Sequence, residues 1–295
     1  MIKDNSGMIF TGERLVTEIY EYWTIEHLHR YAIALNLVTN KKVIDIASGE
    51  GYGANLLSNI ARQVIGVDIS SEAIDHANKK YKKSNLSFIQ GAATQIPVED
   101  NSLDVVISFE TIEHHSEHDK MLQEIKRVLK IDGILIISSP DKRNYSDIPK
   151  YKNPFHIKEL YDYEFYGLIN TYFSNVLELN QKTIFGSIIG VAKAVDRGFI
   201  EFSGSFSNVT QNKAVQSPIY NICIASNSPL NNLPIIEHSV FANEDIFQMY
   251  KLLKDENNRL INSNTLLNRK LSRPTHKLVD ILEFPFKLLK NFIKK

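Results

Sequence analysis

Short runs of continuous apolar residues recur along the chain, each followed by a stretch in which apolar positions return every three or four residues. The runs "KVIDIAS", "QVIGVDIS", "LSFIQG", "SLDVVISF" and "DGILIISSP" read as strands buried on both faces. Between them, "ANLLSNIA", "SEAIDHANKKYKK" and "HDKMLQEIKRVLK" carry helical spacing, with Ser70 or Ser71 as N-cap of the second. Ahead of the first strand, residues 18–37 predict a helix, because Tyr22, Ile25, Leu28, Tyr31, Ala32 and Leu35 recur at helical steps. A further helix in "KELYDYEFYGLINTYF" and two closing strands, "NVLELNQKTI" and "SPIYNICIASNS", complete the series. Strands alternating with helices predict an α/β fold: a doubly wound, mostly parallel seven-stranded sheet. Residues 186–215, rich in Gly, Ser and Asn, read as an insertion or a long hairpin.

After Pro234 the rhythm changes. Ile246, Leu253, Leu260 and Leu267 are spaced by sevens, and Tyr250, Asn257, Asn264 and Leu271 form a second series offset by four. Such a seam predicts a coiled-coil helix, and paired asparagines at one core position favour a parallel homodimer. A single helix packed on the preceding domain is the alternative. The final segment, "LVDILEFPFKLLKNFIKK", sets apolar residues against lysines, with Pro285 as a kink. It reads as a basic amphipathic tail suited to peripheral contact with an anionic membrane or to docking on a partner protein.

Composition narrows the function classes. With 34 basic and 34 acidic residues the formal net charge is +0, which argues against nucleic acid as a partner. The single cysteine, Cys223, excludes an internal disulfide and reads as a small buried strand residue. The N-terminus lacks a signal-peptide core, and no stretch reaches the apolar length of a membrane span, so a cytoplasmic location is expected, with peripheral contact at the inner face of the membrane through the tail.

The candidate chemistry starts in "VIDIASGEGYG", which places glycines directly after the first strand. Gly49, Gly51 and Gly53 are spaced G-x-G-x-G, so the dinucleotide fingerprint G-x-G-x-x-G is not met. A phosphate loop would need a Gly-Lys-Ser/Thr end, and no lysine is present. Asp45 instead suits a cationic ligand. These residues resemble motif I of class I S-adenosylmethionine-dependent methyltransferases, of the type 11 kind and a Rossmann-like fold. "GVDIS", "GAATQIP", "DNSLDVVISFETIEHH" and "EIKRVLKIDGILIISSP" resemble the later motifs of that family in order. The resemblance covers roughly residues 40–180 and the strand near 219–226. It implies S-adenosyl-L-methionine as cofactor, with Asp45, Ala47, Gly49 and Gly51 in its loop and Asp68 on the ribose hydroxyls. Ala92 and Ala93 fall in the family's third-strand loop beside the adenine, and Ile69, Phe109 and Glu110 are further cofactor-binding candidates. Ala47 replaces the first motif glycine, and Ala92 stands where an acid often meets the adenine amine. Glu50 and Tyr52 carry no expected duty.

The acceptor side falls in "FETIEHH", which leaves the fourth strand. His114 is the first candidate for a general base, His156 in "NPFHIKEL" the second, and Glu113 stands beside them. His115 and His118 are expected exposed at a helix start. Glu110-x-x-Glu113-His114 with His156 is also similar to a magnesium-dependent subgroup that methylates RNA ends. The same spacing occurs in members without metal, and the neutral charge counts against RNA, so the reading carries no metal. Arg14, His29 and Arg30 could meet the cofactor carboxylate or an acidic acceptor, although Arg30 reads best as a solvated helix residue.

"FTGER", "EHLHRYA" and "NPFHIKEL" resemble methyltransferases of bacterial surface-polysaccharide synthesis. The organisation expected is an N-terminal lid and helix (1–39), a methyltransferase domain (40–234), a coiled-coil helix (235–272) and the tail (273–295). The function expected is O-methylation of a sugar or glycan, against N- or C-methylation of a small molecule or a non-catalytic scaffold built on the coiled coil.

Overall fold

The computed structural model describes Thr17 and residues 24–184, 186–193, 201–205, 208–231, 233–235, 238–241 and 244–271. Helix α1 (Thr24–Val38) precedes the alternating series β1 (Lys42–Ile46), α2 (Tyr52–Leu57), β2 (Gln63–Asp68), α3 (Ser71–Lys80), β3 (Leu86–Gln90), β4 (Leu103–Ser108), α4 (His118–Val128), β5 (Leu129–Pro140) and α5 (Asp162–Tyr172). There follow β6 (Asn175–Ile184), β7 (Gly186–Val191), β8 (Glu201–Ser205), β9 (Asn208–Asn212), β10 (Tyr220–Ser226) and β11 (Ser239–Phe241), and then α6 (Glu244–Leu271). The chain divides into two compact units, residues 1–242 and 243–295.

The main sheet has the order β11-β7-β6-β10-β5-β4-β1-β2-β3, nine strands among the described residues where seven were expected. Of the two extra strands, β7 comes from the segment read as an insertion and β11 from the stretch that follows Pro234. β7 turns straight back from β6 and pairs with it from Leu179↔Val191 to Ile184↔Gly186, and β11 adds to β7. They cover an edge that β6 would otherwise present. β8 and β9 form a separate two-stranded sheet. β1 pairs in parallel with both β2 and β4, so the direction of winding reverses beside it.

Alternate residues of the central strands feed two cores. Val43, Val64, Val105, Ile107 and Ile136 face α1, α2 and α3, whereas Ile44, Val106, Leu135 and Ile137 face α4 and α5. This is why the strands read as unbroken apolar runs. Helix α3 starts at Ser70, whose hydroxyl accepts a hydrogen bond from the Ala73 amide, as its sequence predicts. Cys223 is fully buried in β10.

The second unit contributes α6, 28 residues long. It starts at Glu244, after β11 has joined the sheet, so the boundary placed at 234 moves towards 242. Of the predicted seam, Leu253, Asn257, Leu260 and Asn264 have described side chains, and all four are exposed. The amphipathic tail lies outside the described residues. No described helix is long and apolar enough to cross a membrane.

Phe165 anchors α5 in the second core and is completely buried. Phe165→Ala should therefore cost about 3–5 kcal/mol in urea unfolding. A loss under about 1 kcal/mol would show that the site collapses around the smaller side chain.

Candidate active site

The loop from Ala47 to Gly51 leaves the carboxyl end of β1, where open α/β sheets bind ligands. Its backbone is left-handed at three positions, with φ 58° at Ala47, 55° at Gly49 and 93° at Gly51. Glycine takes this conformation without penalty, whereas an alanine there costs about 1–2 kcal/mol. At Gly51 a Cβ would also stand 2.8 Å from the Phe88 ring. The loop is fixed from β2: the Gly49 amide donates to Asp68 Oδ2 at 2.9 Å and the Ser70 amide donates to Asp68 Oδ1 at 2.9 Å. One carboxylate thus ties together the turns that follow β1 and β2.

A cavity of about 1020 Å³ opens against these turns. Ala47, Gly49, Asp68, Ile69, Ala92 and Ala93 line one part of it, and Phe109, Glu110, Glu113, His114 and His156 another. The structure thereby brings together nearly all the residues picked out in the sequence. Asp45 and Gly51 stand outside this lining. Asp45 is 1% exposed, on the α1 side of β1, and the Tyr31 hydroxyl donates to its oxygens at 3.1 and 3.2 Å. Burial pushes its carboxyl up to about 7, with Asp68 adding to the shift and the Tyr31 hydrogen bond opposing it. Tyr31 itself lines the cavity, so Asp45 acts on the wall through Tyr31.

Glu50 is fully buried and collects Lys80, the Tyr81 hydroxyl at 2.8 Å and the Thr17 hydroxyl at 3.0 Å. It is a structural anchor for the loop.

Arg30 reverses its sequence reading. It is fully buried beneath the cavity, where Nη1 donates to Gln181 Oε1 at 2.6 Å. Its guanidinium lies 4.7 Å over the Tyr220 ring, and Nη2 stands 4.0 Å from Glu110 Oε1. Glu26 completes this floor by accepting from the hydroxyls of Tyr220, at 2.7 Å, and Thr183. Burial holds the Glu26 carboxyl above the usual range. His29 does not face the cavity. Its Nε2 meets the Ser239 hydroxyl at 2.8 Å, and burial lowers its ring to about 4. Arg14 lies outside the described residues.

The segment after β4 carries a strained residue, Glu110, with φ 51°. Its Oε1 accepts from the Ser138 hydroxyl at 2.6 Å. Glu113 is 1% exposed, and neither of its carboxylate oxygens accepts a hydrogen bond. Burial, with the charge of Glu110, raises its carboxyl well above the usual range. His114 Nδ1 donates to the Phe155 carbonyl at 3.1 Å, which leaves Nε2 as the basic nitrogen. His156 Nδ1 donates to Glu159 Oε1 at 2.5 Å, and its Nε2 accepts from the Asn153 amide at 3.0 Å. That second bond leaves both ring nitrogens of His156 with partners inside the protein. The two imidazoles pack edge to face at 5.0 Å, and Tyr145 stacks on His156 at 5.3 Å. His118, expected exposed, is buried, with Nε2 donating to the His115 carbonyl at 2.8 Å. Sequence reasoning missed Tyr31, Tyr145, Asn153, Glu159 and Tyr220. Only Glu159 left a signal, three residues after His156.

A methyltransferase-domain family model matches residues 44–137. A probable S-adenosylmethionine-dependent methyltransferase of Mycobacterium tuberculosis is 35% identical over 158 residues, covering 52% of this chain and 56% of that protein. A fatty-acid O-methyltransferase of Mycolicibacterium smegmatis is 29% identical, over 43% of this chain and 49% of the relative. The chain thus spans about half the length of these curated relatives. The solved YcgJ protein of Bacillus subtilis shares the fold at a TM-score of 0.51 and 19% identity, over 69% of this chain and all of that one.

The buried Asp45 gives a pH signature. Unfolded, it loses its proton near pH 4; folded, it keeps it to about pH 7. The folded state therefore binds more protons in that window, and stability falls as pH rises through it. The wild-type urea midpoint should be lower at pH 7.5 than at pH 5, and Asp45→Asn should reduce the difference. An equal difference in both proteins would show that Asp45 is ionised in the fold.

Residues 44–137 thus match a methyltransferase-domain model, and about half of the chain aligns with relatives described as S-adenosylmethionine-dependent methyltransferases.

Proposed function

We propose that the whole chain transfers a methyl group from S-adenosyl-L-methionine to a hydroxyl of a sugar or glycan, as in surface-polysaccharide synthesis. The observation that carries the reading is one cavity with two unlike walls. On one wall, Gly49 presents backbone without a side chain, and the Asp68 carboxylate, held by two amides, stands where ribose hydroxyls would donate to it. Ile69, Ala92 and Ala93 are small or apolar beside it and suit an adenine face. On the other wall, Tyr145 and Tyr151 bring aromatic rings that carry hydroxyls, and Asn144 and Asn153 bring amides, which suits a polyhydroxylated ring.

S-adenosylmethionine supplies a methyl already activated on a sulfonium. What remains for the protein is alignment, exclusion of water and removal of the acceptor's proton. His114 Nε2 takes that proton, with the ring held by the Phe155 carbonyl. His156, braced by Glu159 and Tyr145, positions the His114 ring. A second reading, an acceptor hydroxyl or carboxyl on a long apolar chain, draws support from the exposed Tyr151 and Phe155 of the same wall and from the fatty-acid O-methyltransferase among the relatives. Mass spectrometry of a co-purified ligand separates the two. We further propose that α6 pairs two copies of the chain, since Leu253 and Leu260 are exposed on the heptad seam, alternating with the exposed Asn257 and Asn264. The basic tail would then meet a membrane surface or a partner protein.

Asp68→Ala should weaken S-adenosylmethionine binding at least tenfold by calorimetry, with circular dichroism unchanged. Unchanged affinity would remove Asp68 from the cofactor site. Deleting residues 243–295 should convert a dimer into a monomer by light scattering, and a dimer that survives would end the coiled-coil argument.

A further inference from the structure

We infer that the segment from Lys142 to Lys158 docks the protein on a bilayer of anionic lipid, with the mouth of the cavity turned towards the membrane. Four large apolar side chains of this segment stand in solvent within ten residues: Ile148 at 67%, Tyr151 at 51%, Phe155 at 41% and Ile157 at 68% exposure. Large apolar groups gathered on a surface mark a place where something binds, whereas the same groups scattered singly need no explanation. The segment also carries five cations, Lys142, Arg143, Lys150, Lys152 and Lys158, against one carboxylate, Asp147. Asp147 is itself engaged, because it accepts the Tyr161 hydroxyl at 3.0 Å. The chain as a whole has a formal net charge of +0, so the positive excess is local.

The pattern of residues selects lipid over protein. From Ile148 to Lys158 the exposed apolar side chains are interleaved with exposed lysines. A protein interface gathers its apolar groups into a core from which lysine is depleted. A lipid interface takes the interleaved pattern: apolar tips enter the headgroup region, and lysine stems lie alongside with their ammonium groups on lipid phosphates. Each lysine close to an anionic surface adds attraction. The backbone that presents these side chains is already held. The Tyr151 amide donates to the Ser146 carbonyl at 3.0 Å, and the Phe155 amide donates to Asn153 Oδ1 at 3.0 Å. The amides of Ile157 and Lys158 donate to the Glu113 carbonyl at 2.8 and 3.0 Å. Pro149 and Pro154 fix the backbone at two further positions. Docking therefore orders little that is not ordered beforehand.

The surface is also the rim of the cavity, because Pro149, Tyr151 and Phe155 are exposed and line the cavity as well. Glu117, an exposed acid that also lines the cavity, pairs with Lys120 at 3.5 Å, so its repulsion of an anionic surface is reduced. A docked protein would meet amphiphiles at the bilayer surface. An acceptor on a long apolar chain would leave that chain among the lipids while its polar head enters the cavity. This last step rests on the methyltransferase reading; the membrane contact itself does not. The contact is also separate from the basic tail at 273–295, and the test is chosen to tell them apart.

The test uses full-length protein and vesicles of equal parts phosphatidylserine and phosphatidylcholine, with phosphatidylcholine alone for comparison. Cys223 is buried, so Ile157→Cys takes an environment-sensitive fluorophore at that position alone. Its emission should rise at least about twofold on the anionic vesicles and change little on the neutral ones. In co-sedimentation, Lys150→Glu combined with Lys152→Glu should weaken binding at least about tenfold. The same change of charge at the exposed Lys79 and Lys82 should cost less than about threefold. Ile148→Ser combined with Ile157→Ser, which leaves the charge alone, should weaken binding at least about fivefold. Full-length protein that sediments with neither vesicle would overturn the proposal. So would sedimentation without a change in the label, which puts the contact elsewhere in the chain, or affinity equal in wild type and both segment variants. A label that brightens with protein concentration in the absence of vesicles would put a second copy on this surface and would overturn it too. Vesicle binding as expected, with no methyl transfer to any acceptor, would leave the surface standing and remove the functional reading instead.

Discussion

The carboxylate of Asp68 holds this molecule's cavity in shape. It sits at the end of β2 and accepts one amide from the turn after β1 and another from the turn before α3. A charged acceptor shared by two backbone donors is worth more than a pair of neutral bonds. It also sets the distance between two loops that no strand pairing joins. The left-handed residues of the first loop depend on it, because Ala47 keeps an unfavourable φ only while its surroundings over-determine it. The same carboxylate stands on the cavity wall, so the group that shapes the loop is also presented to a ligand.

Beneath the cavity lies a different solution to a harder problem. Arg30 brings a full positive charge into the interior, where it meets the Gln181 amide oxygen, the Tyr220 face and the Glu110 carboxylate. Glu26, one turn earlier on α1, is held by Tyr220 and Thr183. Through these groups α1 is fastened to β6 and β10, and the strained Glu110 is fastened to α1 and, through Ser138, to β5. Removing one member of such a network leaves the others buried without partners, which costs more than the contact that was lost.

The parts legible in the sequence were those written locally. Unbroken apolar runs marked the five central strands because both sheet faces are covered there, and Ser70 announced α3 by its capping chemistry. The glycine loop, Asp68 and the Glu113–His114 pair carried their positions in short motifs, and the cavity gathers them. What was illegible depends on partners far along the chain. Arg30 looks like a surface residue until Gln181, 151 positions later, comes under it. β7 and β11 are short, and one is embedded in a segment rich in glycine and serine, so nothing local distinguished strand from insertion. Asp45 read as a ligand-facing acid because motif position says nothing about a tyrosine one helix away.

Cys223 has a practical consequence. It is the only thiol in the chain, and it lies wholly buried in the middle of β10, between β5 and β6. Burial raises its pKa well above the ordinary thiol value, so thiolate-seeking reagents find almost nothing to attack in the folded protein. The native chain is therefore a ready background for single-site probes. A cysteine introduced at an exposed position such as Leu253 would take up a spin label or fluorophore alone, without the replacement of a core residue first.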